Sequence, residues 1–261
     1  MSAAQPAWYH RFITTIRSRA VYSAAAFAAV CVLVLIGADI RSRPDGNLHI
    51  RFLDMEGKNA VLLQTPGGAH ILIDGGDMPS RLLTAIGNRL PYHDQQLEMV
   101  FATQPDTANI GALPDVLSRY TFGALLTNGQ PNLRDTWKSL LTIGGANIQA
   151  LQMGQRITLS DGVTIEVLHP AFTPELGDSI DASALVLRVN YGDISVLLPG
   201  DISNAELSHL AEAGLLAPVT ALQVPHPASE HMLDEQIITM LQPQIADRKS
   251  TRLNSSHLGI S

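Results

Sequence analysis

The stretch Leu185–Asp201 reads LVLRVNYGDISVLLPGD, and it carries the clearest structural signal in the chain. Two apolar runs, Ala184–Asn190 and Ile194–Leu198, are joined by Tyr191-Gly192-Asp193, which is typical of a turn between antiparallel strands. The second run ends at Pro199-Gly200-Asp201, directly before a predicted helix. The pattern therefore predicts a β-hairpin whose second, buried strand ends in a carboxylate.

Further apolar runs on both sides of this hairpin predict an α/β domain. The first three strands form a meander, because Glu56-Gly57-Lys58-Asn59 and Pro66-Gly67-Gly68 carry turn residues between them. Besides the hairpin, the predicted strands are Leu48–Leu53, Ala60–Gln64 and His70–Asp74, which form the meander, and then Met99–Thr103, one near Ala124, Asn147–Leu151, Arg156–Leu159, Val163–His169 and Ala221–Val224. The predicted helices are Pro79–Arg89, Ile110–Tyr120, Leu133–Leu141, one beginning near Asn204, and Asp234–Leu241. Strand groups in both halves, interleaved with helices, predict two sheets packed face to face with helices outside.

The composition limits the classes of function. With 46% hydrophobic and 16% charged residues, the chain is apolar enough to bury a core. Residues 39–246 contain 11 Lys and Arg against 23 Asp and Glu, a net charge of −12, without any basic cluster. Such a surface repels phosphate, so direct DNA binding is disfavoured. The sequence also lacks a G-x-S-x-G elbow, a P-loop and a dinucleotide fingerprint.

An apolar run near the N-terminus predicts a membrane anchor. Ala20–Ala38 contains 19 residues without a charge. As a helix it spans roughly 28 Å, about the thickness of the hydrocarbon core. More arginines precede the run than follow it closely, which favours a cytoplasmic N-terminus. We therefore expect a cytoplasmic segment 1–19, a single-pass helix 20–38 in the cell membrane, a linker 39–47 and an extracytoplasmic domain 48–246. A cleaved signal peptide is the alternative.

The last residues differ abruptly from the rest of the chain. After the apolar strand start Gln244-Ile245-Ala246, the sequence continues as DRKSTRLNSSHLGIS, which is polar and basic. Asp247–His257 matches one reading frame of a common sequencing adapter. We therefore expect residues 247–261 to be an artefact and the domain to be truncated near Ala246. A natural polar tail is the alternative.

Six segments resemble the ComEC-type branch of the metallo-β-lactamase superfamily, the DNA-internalisation competence proteins. In family order they are FLD at Phe52–Asp54, LLQTPGG at Leu62–Gly68, ILIDGG at Ile71–Gly76, LVLRVNYGD at Leu185–Asp193, LLPGD at Leu197–Asp201 and VPH at Val224–His226. The resemblance covers roughly Leu48–Ala246. It implies a metallo-β-lactamase-like αββα sandwich, partners in the competence machinery and a link to DNA uptake.

The same resemblance implies a metal centre, but most of its ligands are replaced. The family builds the centre from a loop similar to THPDADHIGGL, the Asp of PGD and the His of a segment similar to VPHHGS. The loop Thr103–Leu113 reads TQPDTANIGAL, so that Gln104, Ala108 and Asn109 stand where the family has His, Asp and His. The turn before the second strand, Gly57-Lys58-Asn59, also lacks the acidic residue of the family.

Three residual ligand positions remain, namely Asp106, Asp201 and His226. A centre that activates water needs about three to four imidazole or carboxylate ligands per metal ion. Neutral amide oxygens bind Zn²⁺ or Mn²⁺ poorly. We therefore predict no catalytic residue and either no metal or a weakly bound Zn²⁺ or Mn²⁺, as in a pseudoenzyme that scaffolds or binds a partner.

Two other functions stay open at this point. One is an active metal-dependent hydrolase or nuclease that uses Asp106, Asp201 and His226 with ligands beyond the truncation. The other is a C-terminal fragment of a multi-spanning DNA-uptake channel, of which 20–38 is the last membrane helix.

The singled-out polar residues also have structural interpretations. Asp201 and Asp106 are suited to cap the helices that follow them, and His226 to be a rigid loop residue between two prolines. Asp74, beside Gly75 and Gly76, is predicted to support a loop. Five further histidines are predicted to face solvent or to bond locally, namely His70, His93, His169, His209 and His231.

Overall fold

The structure is a computed structural model, and it describes residues 22, 26–34, 37, 44–91, 94–224, 234–247 and 257–260. The chain separates into two compact units, Met1–Arg43 and Pro44–Ser261. In the first unit the described residues are helical and exposed. No helix among the residues described is long and apolar enough to cross a membrane. The predicted span 20–38 lies partly outside the described residues.

The first sheet of the second unit has seven strands. In chain order they are β1 (Leu48–Phe52), β2 (Val61–Gln64), β3 (His70–Ile73), β4 (Gln96–Ala102), β5 (Thr121–Thr127), β6 (Ile148–Ala150) and a last strand, β13 (His257–Ile260). Their order in the sheet is β13-β1-β2-β3-β4-β5-β6. Strands β13 to β3 pair antiparallel, as the predicted meander requires, and β3 to β6 pair parallel.

The second sheet has six strands, in the order β12-β11-β10-β9-β8-β7. They are β7 (Arg156–Thr158), β8 (Thr164–His169), β9 (Val186–Tyr191), β10 (Ile194–Leu198), β11 (Ala221–Gln223) and β12 (Ile245–Asp247). The predicted hairpin is confirmed as β9 and β10, with Tyr191 opposite Ile194. Gly192 allows this two-residue loop because it adopts a φ of 55°.

Helices connect the parallel strands of both sheets. They are α1 (Pro79–Gly87), α2 (Thr107–Ile110), α3 (Leu113–Leu117), α4 (Asp135–Gly144), α5 (Asn204–Glu212) and α6 (Glu235–Leu241). The continuous helix predicted over Ile110–Tyr120 is wrong, since α2 and α3 are separate. The chain breaks there because the N–H of Ala112 donates to the carbonyl of Gly76 and because Pro114 has no N–H.

Three apolar layers hold the domain together. The layer between the sheets includes Ile50, Phe101, Leu187 and Val196, all buried. A second layer lies between the first sheet and α1, α3 and α4, and a third lies between the second sheet and α5 and α6. This arrangement confirms the prediction of two packed sheets with helices on the outside.

Candidate functional site

The candidate site lies where loops leave the ends of strands from both sheets. Asp106 follows β4 and Asp201 follows β10, whereas His226 lies outside the described residues. The Oδ1 atom of Asp201 accepts a hydrogen bond of 2.6 Å from Nδ2 of Asn59. Its Oδ2 atom accepts another, of 2.8 Å, from Nδ2 of Asn109. Both oxygens of the carboxylate are therefore bound by amide donors.

A third amide extends this arrangement into the second sheet. Nε2 of Gln223, at the end of β11, donates to Oδ1 of Asn59 over 3.2 Å. Asn59, Asn109 and Gln223 are each at most 3% exposed. We call Asn59, Asn109, Asp201 and Gln223 the amide cluster. It joins the turn before β2, helix α2 and two strands of the second sheet through buried hydrogen bonds.

The orientation of these amides follows from the charge at their centre. A carboxylate only accepts hydrogen bonds, so Asn59 and Asn109 must point their nitrogen atoms at Asp201. The oxygen of Asn59 then faces away, where Gln223 supplies a donor. Hydrogen bonds to a charged acceptor are roughly twice as strong as those between neutral groups. In this network, Asn59 and Asn109 donate to Asp201 and Gln223 donates to Asn59, so the orientation of the two asparagine amides is fixed.

A catalytic metal does not fit this network. A metal ion needs lone pairs directed at it, whereas Asn109 directs N–H groups at Asp201 from the position where the resemblance places a histidine. Within the described part of the chain, no group of three or more His, Cys, Asp or Glu side chains is arranged to hold a metal ion.

The helix-cap interpretation of the two aspartates is wrong. Asp106 stands at the N-cap position of α2, but its side chain makes no capping hydrogen bond. Its Oδ1 atom lies 3.4 Å from Nη1 of Arg134, which also donates to the carbonyl of Pro105 over 2.8 Å. Helix α5 begins at Asn204 and is capped by the residue directly before it, Ser203, whose hydroxyl accepts from the N–H of Glu206. Asp201 lies two residues before this cap position.

Asp181 is a further acidic neighbour that the sequence analysis missed. It precedes β9 in a 3-10 turn, and its carbonyl accepts from the N–H of Ser203. Burial raises the pKa of Asp181, and the negative charges of Asp201 and Asp106 raise it further. The three carboxylates therefore share one negative region, in which Arg134 neutralises part of the charge of Asp106.

The loop after β3 supports the candidate site, as predicted for Asp74. Its buried carboxylate accepts from the N–H and the hydroxyl of Thr103, over 2.9 and 2.7 Å. The N–H groups of Gly75 and Gly76 both donate to the carbonyl of Asn109, over 2.7 and 2.9 Å. This loop therefore fixes the backbone on either side of Asn109.

Two histidines are buried, so that of the two predicted alternatives, a solvent-facing or a locally bonded side chain, the first is wrong for them. His70 on β3 is 2% exposed, and burial lowers its pKa although Asp94 lies 3.3 Å away. His169 at the end of β8 is 7% exposed, and its Nδ1 donates to the carbonyl of Ala184. His209 is exposed, as predicted. His93 and His231 lie outside the described residues.

Asn59 and Gln223 are the other site residues that sequence reasoning missed. Asn59 was noted only for the loss of an acidic residue, and Gln223 was treated as part of a strand. A signal was present in both cases, because each is a polar residue beside the apolar residues of a buried strand. Buried polar side chains almost always have hydrogen-bond partners, so such positions indicate a network.

Comparison with known proteins agrees with this architecture. No family model matches the chain. Recombination protein 2 from Haemophilus influenzae is 24% identical over 201 residues, which cover 76% of this chain and 24% of that protein. The chain thus spans about a quarter of the length of this curated relative.

Solved structures match over most of the domain. A mutant of the β-hydroxylase CmlA superposes with a TM-score of 0.51 and 15% identity, covering 78% of this chain and 45% of that one. The metallo-β-lactamase fold protein YhfI from Bacillus subtilis matches with a TM-score of 0.47 and 14% identity, covering 77% of this chain and 87% of that one. With two packed mixed sheets and helices on both outer faces, the domain shares the fold of the part of CmlA that it matches.

Proposed function

We propose that this chain is a catalytically impaired, ComEC-like metallo-β-lactamase-fold protein that acts as a scaffold or binds a protein partner. The observation that carries the proposal is the amide cluster. Asp201 is the carboxylate that an active centre would use to hold a metal, and both of its oxygens accept from asparagine side chains. The residue that should grip the cation is instead bound within the protein.

The chemistry of the surrounding residues supports the loss of hydrolysis. Activation of water needs a metal with an open coordination position or a base beside the water. Asp106 is engaged by Arg134, and Gln104 and Asn109 contribute neutral amides. A Zn²⁺ or Mn²⁺ ion that reaches this region finds too few ligands to be held firmly, so any binding is weak.

The sequence comparisons support a link to competence and DNA uptake. The weak match to Recombination protein 2 agrees with the ComEC-type resemblance of the six segments. The acidic domain repels a phosphate backbone, so the expected partners are proteins of the uptake machinery rather than DNA itself.

A single membrane helix over 20–38, with the domain outside the cell membrane, completes the proposal. It is supported by the uncharged run of 19 residues and by the arginines that precede it. Its test is the recovery of the full chain in membranes after alkaline extraction. Release into the soluble fraction contradicts the membrane anchor, but it does not contradict the proposal that the domain is catalytically impaired.

The proposed loss of catalysis is tested by nuclease assays on the purified chain in Mn²⁺ and in Zn²⁺. We expect no metal-dependent cleavage of single-stranded or duplex DNA. The matched variant carries Asn59→Asp, Gln104→His, Ala108→Asp and Asn109→His, which restores the ligand types that the family motif contains. Because these changes replace three amide side chains and one alanine by carboxylate or imidazole ligands, we expect this variant to bind Zn²⁺ more tightly than the unaltered chain.

Metal-dependent cleavage of DNA by the unaltered chain favours the alternative function, an active hydrolase or nuclease. Robust cleavage by the unaltered chain that is abolished by Asp201→Ala establishes an active hydrolase, in which Asp106, Asp201 and His226 are the first residues to assign as ligands.

A further inference from the structure

A cleft on the second sheet has no role in the function proposed above. It has a volume of about 430 Å³ and lies between the end of β8, the segment that follows it, and α5. This volume is in the range of pockets that hold small organic ligands. No member of the amide cluster is among the described residues that line it.

The walls of the cleft are mainly apolar. Met153, Pro170, Leu210 and Leu215 contribute side chains to them. Phe172, which also lines the cleft, is 73% exposed. An exposed aromatic ring beside a concave apolar surface offers area that a ligand can bury. These walls suit the hydrocarbon part of a small molecule.

Two side chains of the cleft, those of Glu206 and His169, bring acceptor atoms close together. Oε2 of Glu206 lies 3.8 Å from Nε2 of His169 and 3.5 Å from Nδ1 of His209. Nδ1 of His169 must donate, since its partner over 2.9 Å is the carbonyl oxygen of Ala184. In the neutral imidazole, Nε2 of His169 therefore carries a lone pair. A carboxylate and an imidazole nitrogen thus stand side by side, and both can receive a proton donor.

The negative charge of the cleft favours a ligand of positive charge. Asp178 adds a second carboxylate to that of Glu206, and the described lining residues include neither Lys nor Arg. An anionic ligand meets two negative charges there, whereas a cationic one is attracted.

We propose that this cleft binds a small organic cation with an apolar body, such as an aromatic amine salt. Its ammonium group donates to Glu206 and His169, and its hydrocarbon part packs against Phe172 and Leu210. A bare metal ion is a poorer occupant, because the described residues of the cleft do not form a metal-holding group.

The test is titration of the full chain with benzylamine, followed by calorimetry and by NMR chemical shifts. Benzyl alcohol and benzoate serve as neutral and anionic probes of nearly the same shape. We expect benzylamine to bind at least about tenfold more tightly than benzyl alcohol, as a hydrogen bond to a charged group implies, and benzoate not to bind. Shifts should concentrate on α5 and on residues 169–183.

Matched variants assign the binding to the cleft. Glu206→Gln should weaken benzylamine binding at least about tenfold. Glu212→Gln removes the same charge from the same helix at an exposed position that does not line the cleft, and it should leave the affinity unchanged. Phe172→Ala, at an exposed position, tests the apolar wall and should weaken binding about threefold.

Four results overturn the proposal. Three of them are equal affinities for the three probes, equal effects of the two glutamate variants, and shifts confined to residues outside the cleft. The fourth is binding of Zn²⁺ at His169 and His209 without any binding of benzylamine. If Glu206→Gln fails to unfold cooperatively, the probe series on the unaltered chain and Phe172→Ala decide the question.

Discussion

At the scale of single residues, Asp201 connects the two sheets of the domain. It follows β10 in the second sheet, and it accepts from Asn59, in the turn before β2 of the first sheet, and from Asn109, on α2 after β4 of the first sheet. The two asparagines are almost completely buried. A buried donor that loses its partner costs free energy, so we expect the carboxylate of Asp201 to stabilise the domain.

Replacing Asp201 by asparagine should destabilise the domain. Asp201→Asn places an amide nitrogen against one of the two asparagine donors and removes the charge that strengthens both hydrogen bonds. We expect the free energy of unfolding to fall by about 2–4 kcal/mol, measured by urea denaturation. The control is Asp193→Asn in the exposed turn between β9 and β10, which should change little. Equal stabilities of the two variants contradict a structural role for Asp201.

The carboxyl group of Asp181 should make stability depend on pH. Its pKa is raised, by burial first and then by Asp201 and Asp106, so folding favours its protonated form. This contribution is present below the unfolded pKa of Asp181 and is lost as the pH rises through the folded pKa.

Asp181→Asn removes this penalty on the charged form. Because solvent reaches Asp181, we expect the variant to gain less than about 1 kcal/mol over the unaltered chain at neutral pH. The gain should vanish at roughly pH 3. Urea denaturation at both pH values measures the difference. If the stability gained by Asp181→Asn increases as the pH falls, this prediction is contradicted.

At the scale of elements, the turn between β1 and β2 stores backbone strain. Glu56 and Gly57 have φ angles of 53° and 85°, and the N–H of Lys58 donates to the carbonyl of Met55. Positive φ at both central residues is the geometry of a tight hairpin turn, which glycine and asparagine tolerate better than glutamate does. Asn59, a member of the amide cluster, directly follows this turn.

Glu56→Asn should therefore stabilise the domain by about 0.5–1 kcal/mol, measured as a rise in the unfolding temperature. The ion pair that Glu56 forms with Arg81 is partly exposed, and its loss offsets part of this gain. Glu56→Ala is the matched control, since it removes the same ion pair but keeps the strain. If both variants lower stability equally, the strain is not significant.

The last strand is expected to be dispensable. β13 pairs only with β1, at the edge of the first sheet. Among the side chains that the structure describes, those that form the apolar layers precede β13 in the chain. The abrupt change of composition after Ala246 predicts that residues 247–261 are not native.

Deleting residues 248–261 should leave a single cooperative unfolding transition and hydrogen-exchange protection in β3 to β5. Circular dichroism and exchange mass spectrometry measure the two quantities. Loss of cooperative unfolding shows instead that β13 is an integral part of the sheet.

At the scale of the whole molecule, the local sequence pattern predicts the strands and the layers of the domain, but it does not predict the hydrogen bonds of the amide cluster. The hairpin at Tyr191 and the meander around Gly57 follow from alternation and turn residues, which are local signals. The break between α2 and α3 depends on Gly76, which is distant in the chain, so periodicity alone predicted one helix.

The amide cluster has no local signal that reveals its pairing. Asn59 and Asp201 are 142 residues apart, and Asn59 and Gln223 are 164 apart. The resemblance to the family motif predicts which ligands are replaced. The fold then shows that Asn59 and Asn109 donate to Asp201.

The central claim is that amide donors take the place of a metal ion at Asp201. Equilibrium dialysis of the purified chain against Zn²⁺ and Mn²⁺, followed by elemental analysis, tests it most directly. We expect less than about 0.1 metal ion per chain at micromolar free metal, since a site with too few ligands binds weakly. One or two tightly held ions per chain, lost in Asp201→Ala, contradict the account.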